Sequence, residues 1–154
     1  MADLYPGLKA GQAGAEAITV SKTAAAAIGL GALVIDSSPG TGEYEARVNN
    51  ATATTATIRG VVVGGENRGV YGGTDENAAS AAGQAVSVCI VGRCKVRVDG
   101  STSAIAVGDA LAPSTTARIA IKAGTGAFVA ARALQASTAF GDYILCDVTR
   151  EGIL

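Results

Sequence analysis

The chain has 154 residues, enough for one ordinary domain that buries roughly 70% of the surface its unfolded form exposes, so no disulfide or metal staple is needed. Charged residues make up 16% and apolar residues 49%, and the net charge is -1. That balance excludes the excess of Lys and Arg that nonspecific nucleic-acid binding requires, gives no attraction to anionic lipid, and leaves little charge to hold the chain apart from protein partners.

Much of the apolar fraction is alanine, and the chain has only four Tyr and two Phe, so the core must be packed from Val, Ile, Leu and Ala. Low charge with many small apolar residues suits a subunit that hides surface against neighbours. The plain alternative is an alanine-rich soluble monomer.

Residues 1–16 lack apolar periodicity and read as an extended N-terminal arm. The segment Met1 to Lys9 has neither the basic start nor the apolar stretch of a secretory signal, and no run approaches the ~20 apolar residues of a membrane-spanning helix. Use in a cytosolic setting, or carriage inside something assembled there, and no membrane partner are therefore expected. Leu4, Tyr5, Pro6 and Leu8 form an apolar cluster on a segment without a core of its own, which is satisfied by docking on another surface; the alternative is a frayed terminus.

From Ala17 onward the chain reads as one domain, 17–154, of short strands divided by Gly, Ser, Thr, Asn and Pro. The predicted strands are Ala17 to Lys22, Ala32 to Asp36, Glu43 to Val48, Thr57 to Val63, Ala85 to Val91, Arg93 to Val98, Ala110 to Ala112, Arg118 to Lys122, Phe128 to Leu134 and Asp142 to Thr149. Val and Ile alternate in the fifth, Val86-Ser-Val-Cys-Ile-Val91, and Cys94, Val96 and Val98 in the sixth, as a strand with one buried face requires. Gly92 between them fits a bulge or bend, because one residue is too short for a hairpin loop. Thr23 to Ile28 has helical propensity but meets Gly29 and Gly31, which limits it to a turn or two. Gly64 to Gly83 reads as a long surface loop reaching toward a partner, with Arg68 and Tyr71 as its contact residues.

A weak internal repeat runs through the order. Ile28-Gly-Leu-Gly-Ala-Leu-Val34, Ile58-Arg-Gly-Val-Val-Val63 and Gly83-Gln-Ala-Val-Ser-Val-Cys89 recur as Ile105-Ala-Val-Gly-Asp-Ala-Leu111, Val129-Ala-Ala-Arg-Ala-Leu134 and Gly141-Asp-Tyr-Ile-Leu-Cys-Asp147. The separations are not constant, so this is a duplicated β-unit closing on itself and not a solenoid of fixed period. An all-β, compact barrel-like fold follows, since closure removes exposed strand edges.

The chain contains no histidine, which removes the commonest general base, the usual metal ligand and every Ser-His or Cys-His nucleophile. Cys89, Cys94 and Cys146 are odd in number and lack C-x-x-C spacing, so they read as buried free thiols. Glu43 and Glu45 share a strand face, and Asp36, Asp99, Asp109 and Asp142 lie beside turns, where capping accounts for them. The glycine-rich pieces lack the Lys-Ser/Thr ending of a phosphate-binding loop. Asn50-Ala-Thr52 matches the glycosylation sequon, which without a secretory signal meets no modifying enzyme. Arg93, Lys95 and Arg97 alternate on one strand face and either meet an acidic surface or are simply solvated. No enzyme activity, cofactor, metal or small-molecule substrate is expected.

The second half, with Gly83-Gln-Ala-Val-Ser-Val, Ala104-Ile-Ala-Val-Gly-Asp-Ala-Leu111, Phe128-Val-Ala-Ala-Arg-Ala-Leu-Gln135 and Gly141-Asp-Tyr-Ile-Leu-Cys-Asp-Val148, resembles the small capsid decoration, or cement, proteins of tailed phages over about residues 17 to 150. The resemblance implies a β-barrel-like or β-tulip domain that trimerises on the exterior of an icosahedral head and bridges neighbouring major capsid subunits. It brings no catalytic residues. It gives residues 1–16 the part of an arm on the capsid, while the Gly64 to Gly83 loop departs from the shortest pattern of these proteins; Leu4, Tyr5, Pro6, Leu8, Arg68 and Tyr71 are the expected capsid or subunit interface. The alternative is a trimeric carbohydrate- or receptor-binding module of a phage head or tail fibre, against which the scarcity of aromatic residues counts.

Overall fold

A computed structural model describes residues 17–37, 47–66, 78–116 and 118–154. The expected arm and its Leu4, Tyr5, Pro6 and Leu8, as well as Arg68 and Tyr71, lie outside the described residues. So do Glu43 and Glu45.

The described residues are all β: β1 Ile18–Ala24, β2 Ile28–Gly29, β3 Leu33–Ser37, β4 Arg47–Asn50, β5 Gly60–Gly65, β6 Ala78–Ser80, β7 Ala85–Asp99, β8 Ala110–Pro113, β9 Ala120–Lys122, β10 Phe128–Ala133 and β11 Phe140–Ile153. The strands close two rings of five that share β7. In the first, β1, β4, β3 and β5 follow one another and β5 and β1 both pair with the first half of β7. In the second, β11, β10, β8 and β9 follow one another and β11 and β9 both pair with the second half of β7. Each ring has one parallel pair, β1 with β4 and β7 with β9, and is otherwise antiparallel. The expected duplication is therefore real, but each copy closes on its own instead of the two closing together.

The duplication holds residue by residue. Val34 opposite Gly60 in the first ring corresponds to Leu111 opposite Ala131 in the second, and Val62 opposite Val88 to Ala133 opposite Cys146. The turn into the second strand of each ring repeats as well: the Gly31 N–H bonds to the Val62 carbonyl and the Gly108 N–H to that of Ala133, both at 2.8 Å. Gly31 and Gly108 have φ of 71° and 91°, a left-handed conformation that side chains other than glycine adopt at a cost.

Strand β7 runs through Gly92 without a break, so the two predicted strands on either side are one. Gly92 has φ of 103° and marks the handover from the partners of the first ring to those of the second: Val91 lies opposite Ile18, and Gly92 opposite Val148. A Cβ at this point would come within 2.6 Å of the Ala17 Cα, so glycine is needed for close approach as well as for conformation. The Thr23 to Ile28 segment forms no helix; it ends β1, bends and enters β2. Within the expected Gly64 to Gly83 loop, β5 continues to Gly65 and β6 pairs with β2. Such short pairings follow from tertiary placement and leave no periodic signal in sequence.

Two apolar clusters fill the rings. Ala24, Ile28, Leu30, Ala32, Val34, Val48, Val62, Val86 and Val88 draw on all five strands of the first ring. The larger cluster joins Cys94, Val96, Val98, Leu111, Ala120, Ala133, Ile144 and Cys146 of the second ring to Leu33, Val61 and Cys89, which alternate with the interior residues of the first. β3, β5 and β7 thus bury both faces, which binds the rings into one core. Each fully buried Val, Leu or Ile contributes roughly 1.5–3 kcal/mol.

Candidate assembly surfaces

Several of the polar groups of the described residues serve the fold. Asp99 accepts hydrogen bonds from the Ser101 N–H at 2.8 Å and the Ser101 hydroxyl at 2.6 Å, which hold its carboxyl below the ordinary value. Asp109 is held low by Lys122 Nζ at 2.8 Å and by the Ala106 N–H at 2.8 Å. Asp142 accepts from the Ser137 hydroxyl at 2.7 Å. These three cap turns, as their sequence positions suggest. Asp36, next to last in β3, faces Arg59 Nε at 3.8 Å. Arg132 clasps Glu151 with both Nε and Nη2, which lowers the Glu151 carboxyl.

The three cysteines are free and buried. Cys94 lies opposite Cys146 across β7 and β11. A hydrogen bond with Cys89, added to burial, raises the Cys94 thiol well above its ordinary pKa, and burial raises that of Cys146. Cys94 and Cys146 are thus inert packing groups, whereas the hydrogen bond from Cys94 lowers the Cys89 thiol. Among the described residues no cluster of three His, Cys, Asp or Glu is arranged to hold a metal ion. A depression lined by Asp99, Thr102, Ser103, Ser114, Thr116, Ile121 and Lys122 has no aromatic wall, and Phe140 offers the one strongly exposed ring among the described residues, Phe128 being buried and Tyr143 half-buried.

The basic row on β7 is only partly solvated. Lys95 Nζ donates to Gln135 Oε1 at 3.2 Å, and the same oxygen accepts from the Leu145 N–H at 2.8 Å. The Arg97 N–H donates to the Gly31 carbonyl at 3.0 Å. That last bond belongs to the joint between the rings. There the Tyr143 hydroxyl donates to the Leu30 carbonyl at 3.3 Å, Arg118 Nη2 to the Ala27 carbonyl at 3.1 Å, and the Phe128 N–H to the Thr54 carbonyl at 2.8 Å. A Cβ on Gly31 would sit 2.8 Å from both the Arg97 nitrogen and the Tyr143 ring. The joint is thus a tight docking of the segment from Ala27 to Gly31 onto β7 and β11.

What remains exposed is apolar in places. Ile18 is 55% exposed beside its cross-strand partner Val91, and Val107 and Phe140 are exposed on the second ring, with Ile153 and Leu154 at the far end of β11. Sequence reasoning does not single these out, since a Val or Ile next to a turn reads as core, and the repeat counterpart of Val107, Leu30, is itself buried.

These features define an all-β protein of two fused five-stranded rings that share β7. No family model matches the chain, and no curated protein matches it in sequence. In fold it is similar to the N base of the head fiber protein gp8.5 in bacteriophage phi29, with 15% identity and a TM-score of 0.56 over 90% of this chain and 98% of that one. At that identity the likeness is one of fold.

Proposed function

We propose that this protein is a structural component of a phage head, sitting on the capsid exterior as a homotrimer and clamping neighbouring major capsid subunits. The observation that carries the reading is the fold, which spans nearly all of a phage head fiber base. The low charge of the chain and its exposed apolar residues agree with it. In this reading Leu4, Tyr5, Pro6, Leu8, Arg68 and Tyr71 contact the capsid or a neighbouring subunit.

The mechanism is additive. Each subunit buries a modest area on two or more capsid proteins, and simultaneous engagement holds far more tightly than one contact because the second binding event is intramolecular. No bond is made or broken. A protein of this kind is synthesised in the host cytoplasm and carried in the virion. Co-sedimentation with expanded heads lacking a decoration layer tests the reading: saturable binding supports it, and absence of binding contradicts it.

A further inference from the structure

We draw no further inference here: the strongest candidate, the exposed apolar pair of Ile18 and Val91 facing each other across β1 and β7, carries nothing, because nothing in the structure shows what covers it.

Discussion

Ser80 and Ser137 occupy the same place in the two rings. Each is buried, each lies opposite the isoleucine that leads into a glycine turn, Ile28 or Ile105, and each hydroxyl reaches ahead along its own chain, Ser80 to the Ala85 carbonyl and Ser137 to Asp142 Oδ2. The hydroxyls also accept from backbone N–H groups, of Glu66 and of Ala139, both at 3.2 Å. Replacing either serine removes these hydrogen bonds, whose partners lie on the exposed residues Glu66, Ala85, Ala139 and Asp142 and regain water, so the cost is about 0.5–1.5 kcal/mol. S80A and S137A are therefore expected to lower the denaturant midpoint by comparable amounts with the slope of the transition unchanged.

Gly60 and Ala131 are repeat counterparts that differ by one methyl. A Cβ at Gly60 would press into the Cys89 carbonyl and lie 2.7 Å from Val88 Cγ1, whereas Ala131 is accommodated in the second ring and fully buried. G60A is expected to cost about 1–3 kcal/mol through overpacking, and A131G less, about 1 kcal/mol. Urea unfolding of the two variants checks the order; equal costs would show that the rings pack alike at this point.

Acid stability follows from Asp99, Asp109 and Glu151, whose carboxyls are all held below their ordinary values, by Ser101, by Lys122 with the Ala106 N–H, and by Arg132 respectively. A carboxyl lowered in the folded state stabilises the fold above its unfolded pKa, about 4, and that contribution is lost as pH falls through the folded value. The melting temperature is expected to hold between pH 7 and 5 and to fall below about pH 4. D109N should lower it at pH 7 and shrink the drop on acidification.

The thiols act in the opposite direction. Cys94 and Cys146 are raised in the folded state, so their contribution is complete below the unfolded thiol pKa, about 8.5, and is lost as pH rises above it. Stability should decline above about pH 9. With a thiol reagent at pH 8, the native protein is expected to leave Cys94 and Cys146 unlabelled and to yield both on unfolding; rapid native labelling would mean that the core opens readily.

The strands were legible because their alternation is strong: Val86 and Val88, then Cys94, Val96 and Val98, mark buried faces in sequence as they do in the fold. The repeat was legible for β3, β5 and the first half of β7. It was missed for β1, whose counterpart is the second half of β7, because Ile18 to Ala24 and Gly92 to Val98 share a backbone path but almost no side-chain character. Without that match the duplication reads as one closed unit instead of two. The joint at Gly31, Arg97 and Tyr143 left no sequence signal, since it depends on how the rings meet and not on any local pattern.

The arm allows a separate expectation. Deleting residues 1–16 removes Leu4, Tyr5, Pro6 and Leu8 and leaves every described strand in place, so the truncated protein should melt as the full chain does and bind heads more weakly. Unchanged head binding would remove the arm from the interface.

The shell reading itself stands on co-sedimentation of the purified protein with expanded phage heads that lack a decoration layer. The account predicts saturable binding at a fixed ratio to the major capsid protein. Protein that stays in the supernatant at every ratio, while remaining folded, would contradict it.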